Sequence, residues 1–236
     1  MDSLIDLHCH TLASGHAYST LDENIREASN KGLKVIGISD HGPNMPGGPH
    51  TFYFNNLRVL PKVIYGVKVL KGIEANIIDF DGNLDVDEYV LSNLDYAIAS
   101  LHTPCIESGN KEECTNAVIK AMDIPKVKVI GHPDDSRFPL DYERLVAAAK
   151  KKGVLLEINN SSLKVDSYRA GARENLIQLL KLCEKQDVKV ILSSDAHIHY
   201  EIADFKNCIN LIEEVDFPKK LIANYNADIL KALNLF

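Results

Sequence analysis

Short, nearly uninterrupted apolar runs recur along the chain, and most are separated by stretches whose apolar positions repeat at helical spacing. The first run, residues 4–7, predicts a strand. A helix over 20–30 follows, opened by Ser19 and Thr20 as caps and stopped by Gly32. Residues 35–38 are a second strand, rich in β-branched side chains. The Gly- and Pro-dense segment 42–49 reads as a loop. An amphipathic stretch at 55–64 precedes a third strand at 67–73, and Asp81-Gly82 marks a tight turn within a small hairpin at 76–86. The fourth strand is 96–101, a helix spans 111–122, and the fifth strand is 127–130. The alternation then becomes regular: helix 142–152 stopped by Gly153, strand 154–158, helix 170–185, strand 188–192, and helices at 205–215 and 227–233.

Strands that are apolar on both faces and alternate with helices imply an α/β fold with a parallel sheet. No Gly-rich phosphate fingerprint follows the first strand, so the seven units favour a (β/α) barrel over an open dinucleotide-binding sheet. A length of 236 residues suits a single domain. No linker, repeat or shift in composition divides the chain, so the expected domain is 1–236.

Composition adds exclusions. No apolar run is long enough to span a bilayer, and the opening residues lack the basic and apolar regions of a signal peptide, so a cytoplasmic location is expected. The five cysteines are odd in number and contain no C-x-x-C pair, which argues against a disulfide framework or a thiolate zinc site. The net charge of −7 disfavours an extended nucleic-acid track. It leaves room for a small anionic substrate, because bound divalent cations would reverse the local potential in a cleft.

The candidate chemistry lies at the strand ends. Strand one runs into Asp6-Leu7-His8-Cys9-His10, strand two into Asp40-His41, strand three into Glu74, strand four into His102, strand five into His132-Pro133, and the last into Asp195-Ala196-His197. His16 lies on the loop after strand one, and the sixth strand ends in Glu157-Ile158-Asn159-Asn160. In a parallel barrel these ends share one face, where active sites form. Imidazole and carboxylate suit zinc, manganese or iron(II). Residues two apart on a strand point the same way, so His8 and His10 can reach one ion. Any one histidine alone reads more readily as a surface or core residue. Seven of the nine, however, fall in this set, with His50 and His199 left over.

These motifs resemble the PHP (polymerase and histidinol phosphatase) superfamily: the D-L-H-x-H of residues 6–10, Asp40-His41, the strand-ending His132 and the terminal D-x-H of 195–197. The stretches at 16–20, 72–76, 157–162 and 215–218 are closest to its YcdX-like bacterial phosphatases, and the resemblance covers roughly residues 4–230. It implies a distorted seven-stranded (β/α) barrel and a trinuclear metal site. One ion would take His8, His10, Glu74 and Asp195; a second would share Glu74 and add His102 and His132; a third would take His16, His41 and His197. It implies a phosphoesterase that hydrolyses a small phosphorylated substrate with a metal-bound hydroxide. Asp40 could orient a ligating histidine from behind. Arg137, Arg58 and His50 are candidate substrate contacts, and Cys9 is expected to face the core. The loop Asp134-Asp135-Ser136-Arg137 departs from the branch pattern, which bears on substrate preference.

The competing readings are a metal-dependent amidohydrolase, which also pairs a barrel with H-x-H, a nuclease, and a non-catalytic metal-binding regulatory module. The short chain and the surplus of histidines weigh against the first, the acidic charge against the second, and the complete ligand set against the third. A closed barrel has no free strand edge, so a homo-oligomer would have to use helix surfaces.

Overall fold

The computed structural model describes residues 4–236, so the first three residues of the expected domain lie outside it. Its strands are β1 (Ile5–Asp6), β2 (Val35–Ile38), β3 (Val63–Ile64), β4 (Val67–Lys71), β5 (Glu74–Asn76), β6 (Ala97–Ser100), β7 (Val127–Ile130), β8 (Leu155–Asn159) and β9 (Val190–Ser193). Its α-helices are α1 (Leu21–Asn30), α2 (Thr51–Asn56), α3 (Glu88–Ser92), α4 (Lys111–Ala121), α5 (Tyr142–Lys152), α6 (Ala172–Gln186), α7 (Lys206–Glu214) and α8 (Ala227–Ala232).

Local chemistry fixes the element ends. Thr20 and Glu23 form a reciprocal capping box at the start of α1. Asp141 caps α5, whose last turn carries Lys150, Lys151 and Lys152 against the negative end of the helix dipole. Gly153 then ends it in the left-handed conformation at φ 68°. Helix α2 begins well before the amphipathic stretch expected at 55–64, because the His50 side chain accepts the Phe52 amide and starts the turn there. Helix α3, capped by Asp87, is too short to give a periodic signal in the sequence. The hairpin at 76–86 reduces to one antiparallel bridge, Ile77 with Leu84, and Asp79 orders its turn by accepting the amides of Asp81 and Asn83.

The expected strand at 67–73 is divided. A four-stranded sheet runs β1-β2-β4-β3, parallel except for β3, and a five-stranded parallel sheet runs β5 to β9 in chain order. The hydrogen-bonded ladder is therefore two sheets and not one continuous ring. Isolated parallel bridges, Cys9 with Ala196 and His41 with Glu74, lie between them. The division falls beside a buried tyrosine. A Cβ on Gly72 would come within 2.4 Å of the Tyr96 ring, and one on Gly37 within 2.0 Å of its hydroxyl. That hydroxyl donates to the Leu7 carbonyl at 2.5 Å.

Side chains alternate across the strands. Ile98 and Leu155 turn inward with Ile5, Leu7, Val129 and Ile191, where Leu230 of α8 and Leu235 join them. Ala97, Ala99 and Leu156 turn outward beneath α4 to α7. Both faces are buried, which is why the strands are nearly uninterrupted apolar runs. No described helix is long and apolar enough to cross a membrane. In both sheets the parallel strands point the same way, so their carboxyl ends meet at one end of the molecule.

Candidate metal centre

At that end the chain leaves β1 through His8, Cys9 and His10. Cys9 turns into the core, where its thiol donates to the Gly37 carbonyl at 3.1 Å. The rings on either side of it emerge together, with centroids 5.1 Å apart. His41 follows β2, Glu74 opens β5, His102 follows β6, His132 follows β7, and Asp195 and His197 follow β9.

Glu74 is fully buried and lies at the hub of the cluster. Its Oε1 is 3.3 Å from His8 Nε2, 3.2 Å from His102 Nε2 and 2.9 Å from His132 Nε2. Its Oε2 is 2.6 Å from His41 Nδ1 and 3.6 Å from His10 Nε2. Asp195 Oδ1 approaches His10 Nε2 at 3.2 Å and His8 Nε2 at 3.6 Å. His16 and His41 face each other through their Nε2 atoms at 3.2 Å, and the His197 ring stacks 5.0 Å from that of His16. Donor atoms sharing a tetrahedral ion at bond lengths of about 2.0–2.1 Å stand roughly 3.3 Å apart, so the separations of 3.2 to 3.6 Å fit common ions, while the two shorter ones are of hydrogen-bond length. Three residue groups offer mutually close ligand atoms: His8, His10 and Glu74; His41, Glu74 and His102; and His10, His41 and His197. His8 Nε2, His10 Nε2, His41 Nδ1 and Glu74 Oε2 are all buried with no partner in hydrogen-bonding geometry. Orphaned polar atoms converging on one place are what a cation would satisfy.

The far sides of the rings are held. His8 Nδ1 pairs with Glu157 Oε1 at 2.6 Å, while Glu157 Oε2 accepts the His132 amide at 2.6 Å and Asn159 Nδ2 at 3.0 Å. His10 Nδ1 meets the Ser14 hydroxyl at 3.0 Å, and that hydroxyl donates to Asp40 at 2.7 Å. Asp40 thus stands behind His10, with Ser14 between them, and also accepts from Thr11 and the Tyr53 hydroxyl. His102 Nδ1 pairs with Asn76 Oδ1 at 2.7 Å. His132 and Asp195 hold positive φ values of 25° and 54°, which L-residues seldom adopt.

The electrostatics suit ligands. Burial would raise the Glu74 and Asp195 carboxyls, but neighbouring histidines, and for Asp195 also Arg169, hold both well below the usual range. Burial pushes His10 well down, and His41 and His197 add to it. Burial also lowers His16 and His102. For His8 burial works against the charge but is outweighed by Glu157, Glu74 and Asp195, so its imidazole rises well above the ordinary value. Cations compete with protons for such nitrogens.

The cluster opens into a cavity of about 360 Å³. His16, His41, His102, Asp195 and His197 line it together with Arg137, Tyr168 and Arg169. Arg137 is clamped on Asp135 and lies 4.8 Å over the Tyr168 ring. The other two candidate contacts lie elsewhere. Arg58 lines a separate groove with Phe52, Val59 and Tyr89, and the exposed His50 is engaged in capping α2. His199 pairs with Ser19. Arg169 was not foreseen. It is buried, 3.3 Å from Asp195 Oδ2 and 2.9 Å from Ser162 Oγ. The signal available for it was its place in the loop after β8, on the same face as every other strand end. Glu157 stands out in the sequence as a polar strand end, but its pairing with His8, and the supports from Ser14 and Asn76, join positions that spacing does not connect.

The profile of the PHP domain family matches residues 6–161. A probable phosphatase of Clostridium novyi (strain NT) is 47% identical over 224 residues, covering 95% of this chain and 91% of that protein. A probable phosphatase of Acetivibrio thermocellus is 46% identical over 228 residues, covering 97% and 93%. Among solved structures, histidinol phosphate phosphatase from Lactococcus lactis, complexed with zinc, L-histidinol and phosphate, aligns with a TM-score of 0.60 at 17% identity, over 92% of this chain and 95% of that one.

Proposed function

This chain belongs to the PHP domain family, and on that premise we propose that it is a metal-dependent phosphatase acting on a small phosphorylated substrate. The observation that carries this reading is the buried Glu74 carboxylate, approached by nitrogens of five histidines, two of which also face Asp195. We read 1–236 as one domain, and the two sheets, with the bridges between them, as a split and distorted seven-stranded barrel in which β4 and β5 count as one interrupted strand and the antiparallel β3 is an addition.

His8, His10, Glu74 and Asp195 would hold one divalent ion, Glu74, His102 and His132 a second, and His16, His41 and His197 a third. Zinc suits these donors, as do manganese and iron. When bound, such ions polarise phosphoryl oxygens and lower the pKa of water to near neutrality. The chain's own residues do the rest. Glu157, Ser14 with Asp40, and Asn76 fix the ring orientations of His8, His10 and His102. Arg169 and Arg137 supply positive charge to the cavity that the clustered histidines also line, where the phosphate would sit. The cavity admits a metabolite-sized ester and not a duplex, in keeping with the net charge of −7. Nothing in this reading needs a membrane, and a cytoplasmic setting suits the unpaired cysteines.

The test is to purify the chain without chelators, count metals by elemental analysis, and assay the same sample on an aryl phosphate. About three ions per chain, with phosphatase activity lost on chelation and restored by zinc or manganese, are expected. Full metal occupancy without phosphatase activity would favour an amidohydrolase or a regulatory module. No metal after reconstitution would overturn the reading.

A further inference from the structure

Asn76 contacts His102 through its side-chain oxygen, and the rest of its amide is committed elsewhere. Its Nδ2 donates to Asp85 Oδ2 at 2.5 Å, and its backbone N–H donates to Asp85 Oδ1 at 2.9 Å. Asp85 Oδ2 also accepts the Asn44 amide at 3.0 Å. Asp85 comes from the hairpin beyond β5 and packs against Gly42, where a Cβ would lie 2.3 Å from its carboxylate. It touches neither the cavity nor any of the clustered histidines.

An ionised carboxylate only accepts hydrogen bonds. Asp85 therefore obliges Asn76 to turn its NH₂ toward it and its carbonyl toward His102. A carbonyl also only accepts, so His102 must carry its proton on Nδ1 and leave the Nε2 lone pair free. That Nε2 is the atom facing Glu74 at 3.2 Å. We propose that Asp85 is a positioning residue that sets the tautomer of His102 through the amide of Asn76, presenting Nε2 to a metal ion. The proposal rests on the metal-dependent reading above.

Two substitutions give opposite expectations. In Asp85→Asn the new amide cannot accept on both sides. If its oxygen stays toward Asn76 Nδ2, its NH₂ meets the backbone N–H of residue 76, donor against donor. If it turns over, Asn76 must turn too, present NH₂ to His102 and drive the proton onto Nε2. In the exchange Asn76→Asp with Asp85→Asn, the acceptor-only group faces His102 again, and the amide at 85 donates to the carboxylate at 76 and accepts the backbone N–H of residue 76, leaving the Asn44 amide, remote from His102, as the one unmatched donor. Total charge is unchanged by the exchange.

The experiment measures zinc affinity of the full-length chain by competition with a chromophoric chelator, and reads the His102 tautomer in chelator-treated protein from imidazole ¹⁵N and ¹³C shifts. The wild type should show the Nδ1–H form. Asp85→Asn should weaken the most labile zinc by roughly 10- to 100-fold, the range for loss of a group supporting a metal ligand, and the double exchange should restore the Nδ1–H form and recover part of that loss. The Nε2–H form in the wild-type protein would overturn the proposal whatever the variants do. So would an Asp85→Asn protein that folds and binds zinc as tightly as wild type, or a double exchange no better than the single change. If the wild type binds no zinc while showing the Nδ1–H form, the metal reading falls and the assignment of Nε2 as a ligand falls with it. Normal wild-type zinc binding with no effect of the variants overturns the role of Asp85 alone.

Discussion

Asp134 is buried beside the cluster, and neither of its carboxylate oxygens has a hydrogen-bond partner. Burial is the main force on it. Arg169 and Ser162 favour the charged form and Glu157 opposes it, and the carboxyl is pushed up from 3.8 to about 7. The raised value means that the folded protein binds a proton which the unfolded chain has already released. Stability from this group is therefore greatest at low pH and is lost as pH rises from near 4 to near 7. Each pH unit within that window corresponds to about 1.4 kcal/mol. Asp134→Asn removes the titration and keeps the shape. Between pH 5 and pH 8 the variant should gain about 3 kcal/mol on the wild type, since roughly two pH units of the window lie above pH 5. Urea unfolding of chelator-treated protein at both pH values measures this, and the histidines, common to both proteins, cancel in the difference. A stability gap that stays constant from pH 5 to pH 8 would refute the reasoning, and one that moves in favour of the wild type would reverse its sign.

Other consequences can be checked directly. Glu157→Gln leaves an amide where one carboxylate serves His8 and the His132 backbone, so zinc affinity should fall by roughly 10- to 100-fold; chelator competition reads it. Arg169→Met removes a buried guanidinium from the cavity wall. The loss of a charged contact of about 1.5–3 kcal/mol should lower kcat/KM on an aryl phosphate by roughly 10- to 150-fold. Gly37→Ala forces a methyl group against the Tyr96 hydroxyl and should cost about 1–3 kcal/mol, seen as a lower thermal midpoint; Tyr96→Phe in the same background should recover part of it.

Much of the frame can be read from apolar runs and stop signals. The strands at 35–38 and 127–130 and the helix at 142–152 stand where those signals put them, because each is bounded by a cap, a glycine or a polar break. The division of the third strand is not readable, since it falls beside Tyr96, a ring from a different unit. Nor is α2, which begins on a histidine acting as a cap. In the site, the histidines and their carboxylates were legible because parallel strands deliver their ends to one face. Of the partners behind them, Asp40 was legible from its place beside His41, although it reaches His10 through Ser14; the others were not legible as supports. Ser14 sits in a loop, Glu157 shows in the sequence only as a polar strand end and not as the partner of His8, and Asn76 meets His102 only after folding. Each is found through space and not through spacing.

His132 and Asp195 hold positive φ, a region that is uncommon for any residue but glycine though His and Asp enter it more readily than most, at a cost of about 1–3 kcal/mol apiece. Their neighbours hold them there: Glu157 accepts the His132 amide, and Asn159 and Arg169 grip Asp195. Improving this chain for heat resistance therefore meets a boundary at these two positions. A substitution that relaxes either bend would be selected in a screen for folding alone, and it would turn away a side chain of the proposed metal site. Thermal tolerance and turnover pull in opposite directions here, so a stabilisation campaign should hold both residues, and the groups that brace them, fixed from the outset.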